Sequence, residues 1–226
     1  MQANDNLKIV ETADGSHTIF LPDLNESYHS NFGAITESEC VFFKNGLNNY
    51  IGKQKVIHVL ETGMGTGLNA FMAFLDAEIN KQKIVYHALE IFPISLSIAS
   101  QLNYPEQLNA INYADEFIQL HNCNFDDEIK ISEYFTFKKY HQSIKIFSNP
   151  NNYDVVFFDA FAPDINADLW YEDVLHNMYL SLKKGGMLTT YCAKGQFKRN
   201  LKSVGFKVQN AAGPPGKREI TQGNKL

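Results

Sequence analysis

Apolar positions in this chain alternate between short, mostly apolar runs and stretches with a helical period. The runs at 56–60, 84–89, 153–158 and 187–192 read as buried strands, and YDVVFF at 153–158 is the strongest. Between them, the spacing predicts helices over 68–80, from Pro93 through Leu102, over 105–121, over 164–182 (carrying Trp170, Leu175 and Met178) and over 194–204. The segment 134–146 alternates apolar and polar residues and reads as a strand leading into a short helix. Asp126-Asp127-Glu128 reads as a solvated loop, and 183–186 as a helix stop. Strand–helix alternation implies an α/β, doubly wound, mostly parallel sheet. Two closing strands, 206–211 and 217–221, flank Gly213-Pro214-Pro215-Gly216 and would make one edge antiparallel. Ahead of this core, 7–21 reads as a β-hairpin around Asp14-Gly15. Thr36 and Glu39 form a T-x-x-E capping box for a helix to about Gly46. The expected organisation is an N-terminal extension, 1–50, packed on a core domain, 51–226.

The stretch that decides the chemistry is 56–69, VIHVLETGMGTGLN: a strand, a glycine turn and a helix start. Gly63, Gly65 and Gly67 allow positive φ and close approach of a ligand to the backbone. A P-loop needs Lys and then Ser or Thr after the last glycine, but Leu68 and Asn69 stand there. The dinucleotide pattern needs its third glycine one position later. What remains is E-x-G-x-G-x-G from Glu61 to Gly67, and the competing reading is a glycine turn with no ligand. Two further acids end apolar strands. Glu90 follows 84–89, where a carboxylate accepts from both hydroxyls of a ribose. Asp159 follows 153–158, in the crevice where parallel sheets bind ligands, and Pro163 holds the loop after it open. Asp159 is the expected acceptor or orienting group for the proton of an amine nucleophile. Tyr28, Phe161 and Trp170 are candidates to stack on a planar substrate or, alternatively, are core residues. Tyr28, His29, Ser30 and Phe32 form a polar and aromatic cluster read either as a packed turn or as a wall of the site.

Composition narrows the classes. A hydrophobic share of 44% supports a sizeable core, and no apolar run reaches membrane-spanning length. The N-terminus lacks the pattern of a secretory leader. Cys40, Cys123 and Cys192 are odd in number and widely spaced, which favours free thiols in the cytoplasm. The seven His show no ligand spacing, so no metal is expected. Net charge is −5, yet residues 183–226 carry ten Lys or Arg against one acid, Glu219, while the remainder carries ten against 24. Such a segment either binds phosphates or is a solvated face.

The glycine motif resembles the first motif of class I S-adenosylmethionine (SAM) methyltransferases, which have a Rossmann-like fold. More specific segments are similar to the methyltransferase part of bacterial MnmC and its stand-alone form, MnmD. They are SYHSNFGAITESECVFF (27–43), ETGMGTGLN (61–69), LEIFP (89–93), FFDAFAPDINADLW (157–170), GGMLTTYCAKGQFKRNLKSVGF (185–206) and GPPGKREI (213–220). The resemblance implies SAM as cofactor, tRNA as partner, and methylation of the exocyclic amine of 5-aminomethyl-2-thiouridine at the wobble position. It implies cofactor contacts from Glu61, Gly63, Gly65, Gly67, Asn69, Glu90 and Asp159, with Asp159 beside the acceptor. Substrate contacts are expected from Tyr28, Phe161, Pro163 and Trp170, and from the basic Lys194, Arg199, Lys217 and Arg218. Bifunctional relatives carry an FAD-dependent oxidase domain after this point. None is expected here, and separate proteins would supply the amine. The acid that usually holds the adenine amino group is missing from FKKYHQSIKIF (137–147). Gln142, a backbone group, or the neighbourhood of 115–117 would replace it. Two other readings stay open: a methyl- or aminopropyltransferase acting on a small amine, and a non-catalytic RNA- or protein-binding module on the same scaffold.

Overall fold

A computed structural model describes residues 6–226. Residues 1–5, the start of the expected extension and of the segment read for a leader, lie outside the described residues. Strands β1 (Lys8–Glu11) and β2 (His17–Leu21) pair antiparallel around Asp14-Gly15, and Gly15 has φ 82°. A short third strand, β3 (Glu26–Ser27), adds to β2. Helix α1 (Ala34–Ser38) follows and continues as a π-helix, Glu39–Lys44.

The capping box does not form. Thr36 sits inside α1, and the cap comes from the hairpin turn: Asp14 Oδ2 accepts from Thr36 N (2.9 Å) and Thr36 Oγ1 (2.8 Å). Asp14 Oδ1 accepts from Ser16 N at 3.0 Å and from Thr12 Oγ1 at 2.9 Å. Although partial burial opposes it, bonds from the Ser16 hydroxyl, from Thr36 and from Ser16 N lower the Asp14 pKa to about 2.

The core then runs β4 (Val56–Thr62), α2 (Leu68–Asn80), β5 (Lys83–Leu89), α3 (Leu96–Ala99), α4 (Tyr104–Gln107), α5 (Ala114–Asn122), β6 (Glu128–Lys130), β7 (Phe135–Tyr140), β8 (Tyr153–Phe158), α6 (Glu172–Ser181), β9 (Leu182–Thr190), α7 (Gly195–Ser203), β10 (Lys207–Ala212) and β11 (Glu219–Asn224). The eight-stranded sheet has the order β10-β11-β9-β8-β4-β5-β7-β6. Its centre is parallel, with β4 between β5 and β8. The expected antiparallel edge is present as β11 against β9 and β10 against β11. The other edge is antiparallel as well, because β6 pairs with β7; of the expected solvated loop, Asp126 and Asp127 are exposed loop residues and the exposed Glu128 begins β6.

Several expected helices are shorter. The one from Pro93 begins only after Ser95, whose hydroxyl caps Ile98 N. The one over 105–121 is broken at Asn109, which sits at φ 52°. The one over 164–182 starts at Glu172, because Asn166 (ψ 79°) is non-helical, a 3-10 turn follows over Ala167–Trp170, and Tyr171 (ψ 165°) is extended. No short helix is assigned after β7, where 144–146 form a turn.

Apolar residues of the extension cluster with those of the sheet. Phe42 and Phe43 pack on Phe157 of β8, with ring centroids 5.1 and 5.7 Å apart. Asn103 ties the hairpin to the helical layer by accepting from His17 N (2.8 Å) and donating to Gly15 O (2.9 Å). Among the described residues no helix is long and apolar enough to cross a membrane, and no group of His, Cys, Asp and Glu could hold a metal ion.

Candidate active site

The carboxyl ends of β4, β5 and β8 open into one cavity of about 1050 Å³. Pockets for small ligands run roughly 300–1,000 Å³, so this one has room for a cofactor and part of a second substrate. Its walls include the glycine loop, residues 90–92 after β5, residues 159–162 after β8, and Tyr28 to Asn31 of the extension.

The glycine loop is shaped by close backbone approach. Gly63 (φ 89°) lies so near β8 that a Cβ would stand 3.1 Å from Asp159 O. Gly65 (φ 52°) faces the Tyr28 ring, 2.8 Å from where a Cβ would be. Gly67 (φ 75°) is the left-handed residue that starts α2. The glycine N–H groups are occupied within the fold. Gly63 N donates to Leu89 O (2.9 Å), Gly67 N to Met64 O (2.9 Å), and Gly65 N to Glu90 Oε2 (2.9 Å). Affinity for a ligand carboxylate therefore falls to the first turn of α2, whose N–H groups have no intrahelical acceptors. Leu68 and Asn69 of that turn line the cavity, whereas Gly67 does not.

Glu90 lies on the cavity wall, with Oε1 accepting from Phe92 N at 2.7 Å and Oε2 from Gly65 N. Each oxygen keeps a second lone pair for a sugar hydroxyl. The residues present thus suit the expected cofactor: a carboxylate for the ribose, a helix start for the amino acid end, and glycines where a Cβ would fill the space.

Asp159 lines the cavity opposite Glu90. Its Oδ2 accepts from Asn69 Nδ2 at 2.9 Å, and the same amide donates to Glu61 Oε1 at 2.9 Å. Burial, then the Glu37 carboxylate, push the Asp159 pKa up to about 7, with Asn69 and Lys217 opposing. Glu61 lies behind Asn69 and does not line the cavity, so it reaches the site only through that amide. Burial, and then the charge of Asp159, hold its carboxyl well above the usual range.

The far wall was mostly unexpected. Glu37 of α1 accepts from Lys217 Nζ at 2.6 Å and from Ser30 N at 2.8 Å, joining the extension to the β10–β11 loop. The Lys217 ammonium also sits 4.0 Å from the centre of the Tyr191 ring, and the Tyr191 hydroxyl donates to Ala160 O at 2.7 Å. Tyr28 meets Phe161 edge-on at 5.2 Å, and both line the cavity. Glu37, Tyr191 and Lys145 therefore join the site without having been singled out as contacts, while His29 and Ser30, read as either a packed turn or a wall of the site, line the cavity beside Tyr28. Of the positions named for the adenine contact, Gln142 lines the cavity, while Asp115 and Phe117 do not.

Other expected contacts lie elsewhere. Trp170 is only 3% exposed, packs on Phe158 (5.0 Å) and Phe197 (5.0 Å), and donates from Nε1 to Phe161 O at 2.8 Å. It is a core residue that anchors the loop carrying Phe161, and is not a stacking surface. Pro163 is beside the rim without lining the cavity. Lys194 pairs with Asp164 (2.5 Å), Arg199 donates to Gln196 (2.8 Å), and Arg218 is exposed, all outside the cavity.

A sequence model of the family described as S-adenosyl-L-methionine-dependent methyltransferase (Methyltransf_30) matches residues 103–226. The tRNA 5-methylaminomethyl-2-thiouridine biosynthesis bifunctional protein MnmC of Pseudoalteromonas translucida is 29% identical, over 89% of this chain and 34% of its own. The chain spans about a third of the length of the curated relatives it matches. Among solved structures, MnmC2 of Aquifex aeolicus is similar with a TM-score of 0.75 and 26% identity, over 96% of this chain and 69% of that one. Spermidine synthase of Thermotoga maritima shares the fold, with a TM-score of 0.54 and 16% identity, over 99% of this chain and 71% of its own.

Proposed function

Because the chain belongs to the S-adenosyl-L-methionine-dependent methyltransferases, we propose that it methylates the exocyclic amine of 5-aminomethyl-2-thiouridine at the tRNA wobble position. The product is 5-methylaminomethyl-2-thiouridine. The observation that carries the reading is Asp159: a carboxyl with a pKa of about 7, on the wall of a cavity with room for a cofactor and part of a second substrate. An amine arrives protonated at neutral pH and must lose that proton before it is a nucleophile. When bound, SAM supplies a methyl group on a sulfonium sulfur, and the C–S electron pair leaves with the sulfur as a neutral thioether. Asp159 takes the proton of the incoming ammonium, and Asn69 holds its carboxylate in place at 2.9 Å. Glu90 and the first turn of α2 fix the cofactor, so that the reaction depends mainly on alignment. The nitrogen forms its new bond to carbon and ends as a secondary ammonium.

The nucleotide stacks against Tyr28 and Phe161, which hold each other edge-on. Lys145 and Lys217 at the cavity, with Lys194, Arg199 and Arg218 outside it, give the phosphates of tRNA a basic approach. In this proposal the protein works in the cytoplasm, and a separate oxidoreductase exposes the amine. The relative named for 5-methylaminomethyl-2-thiouridine biosynthesis and the similarity to MnmC2 support this substrate. An acidic cavity also suits a small polyamine, so the test carries both arms. The protein is incubated with labelled SAM and either tRNA bearing 5-aminomethyl-2-thiouridine or a panel of spermidine-pathway amines, and products are read by mass spectrometry. Label in 5-methylaminomethyl-2-thiouridine is expected. Label only in a small amine would retain the cofactor site and discard the tRNA substrate.

A further inference from the structure

The wall opposite the glycine loop carries a polar group that the proposed reaction has not used. The chain after β3 continues alongside β2, with Tyr28 N donating to Ile19 O at 2.9 Å. One residue on, the partner is a side chain: His29 N donates to Thr18 Oγ1 at 3.1 Å. The same Thr18 oxygen lies 2.9 Å from His29 Nδ1. Thr18 is fully buried, and its hydroxyl has one proton to place. Having accepted the backbone N–H, the hydroxyl has His29 Nδ1 as its remaining partner, so it donates there. A ring whose Nδ1 accepts carries its own proton on Nε2. The imidazole stays neutral through the working range, since burial holds its pKa down to about 4. His29 lines the cavity, and among the described residues its Nε2 has no partner. Ser30, next in the chain, donates from its backbone N to Glu37 (2.8 Å), Glu37 pairs with Lys217, and Lys217 lies over the Tyr191 ring whose hydroxyl bonds Ala160 O beside Asp159, so the imidazole belongs to the acceptor side of the cavity.

We propose that His29 is a specificity-determining residue, donating from Nε2 to a carbonyl oxygen next to the reacting amine, with Thr18 as the positioning residue that sets its tautomer. This rests on the tRNA reading above. In a 5-aminomethylated uracil the ring carbonyl beside C5 is such an acceptor. In a cytosine the same position carries an amino group, which would meet the Nε2–H donor to donor. A site built to hydrogen-bond one group discriminates against an analogue that leaves its donor unpaired. A neutral imidazole also adds no positive charge against an incoming ammonium.

The test uses anticodon stem-loops bearing 5-aminomethyluridine or 5-aminomethylcytidine, with wild type, His29→Phe, His29→Gln and Thr18→Val. The wild type is expected to prefer the uridine by about tenfold or more in kcat/KM, the scale of one neutral hydrogen bond. His29→Phe loses that preference chiefly through KM, and His29→Gln, which keeps an N–H at similar reach, restores part of it. Calorimetric SAM affinity unchanged from wild type reports an intact fold. Nitrogen-15 correlation spectra of the imidazole show the proton on Nε2 in wild type and a mixed tautomer in Thr18→Val. A wild type that methylates both stem-loops equally, a preference that survives in His29→Phe, or a proton found on Nδ1 overturns the inference while leaving the tRNA reading intact. A wild type that methylates neither stem-loop overturns both.

Discussion

Asp159→Asn separates catalysis from stability in one substitution. The amide is close in shape to the carboxylate, and its oxygen can still accept from Asn69 Nδ2, so the Glu61–Asn69 arrangement persists. What disappears is the base. Loss of general-base assistance slows a reaction roughly 10²- to 10⁴-fold, while SAM affinity should hold because Glu90 and the start of α2 are untouched. The stability effect has the opposite sign. A carboxyl raised from 3.8 to about 7 ionises less readily in the folded protein than in the unfolded chain. Below pH 3.8 both states are protonated and nothing is lost. Between 3.8 and 7 the folded state is progressively disfavoured, and above 7 the loss is complete. At about 1.4 kcal/mol per pH unit, it reaches at most about 4 kcal/mol. Asp159→Asn should therefore raise the Tm at pH 8 more than at pH 5. The wild-type kcat/KM should fall about tenfold per pH unit below 7 and level off above it. Thermal melts and initial rates across this range measure both. Turnover within threefold of wild type, or a Tm that falls at pH 8, would refute the reasoning.

Three further substitutions test other parts of the site. Glu90→Gln removes a charge that accepts from Gly65 N and Phe92 N, and SAM binding should weaken about tenfold or more by calorimetry; unchanged affinity would remove Glu90 from the ribose contact. Gly65→Ala places a Cβ 2.8 Å from the Tyr28 ring at φ 52°, so it should lower the Tm and weaken SAM binding together; an undisturbed melt would mean that the loop is looser than its geometry. Asp14→Ala removes the cap of α1, with an expected loss of about 0.5–2 kcal/mol in denaturant melts at pH 7. Because the Asp14 pKa is depressed to about 2, that contribution is present above about pH 4 and fades as pH falls toward 2; an equal loss at pH 2 and pH 7 would contradict it.

What the sequence revealed, and what it hid, follows the range of the interactions. β4, β5 and β8 are buried over most of their length, and their mostly apolar runs announce them. Gly63, Gly65, Glu90 and Asp159 were legible because each stands at a fixed short distance from the end of such a run. The start of α1 was not, since its cap arrives from Asp14, far back in the chain, and Thr36 spends its hydroxyl on that residue. Glu37 reaches the cavity only because the extension folds over it, His29 does so from a cluster that the sequence left open between turn and wall, and Tyr191 and Lys145 carry no residue-level signal that would mark them as contacts. Trp170 illustrates the converse: composition does not tell a stacking aromatic from a core one, and packing on Phe158 and Phe197 decided it. The basic C-terminal segment proved heterogeneous, with Lys217 at the cavity and Lys194 and Arg199 outside it.

The most direct test of the central claim is methyl transfer to two anticodon stem-loops that differ only at the C5 amine, one bearing free 5-aminomethyl-2-thiouridine and the other the same residue with its amine acetylated. The account predicts one added methyl group on the free amine, none on the acetylated strand, and loss of most of that transfer in Asp159→Asn. Methylation of both strands, or of a ring or ribose position, would contradict it.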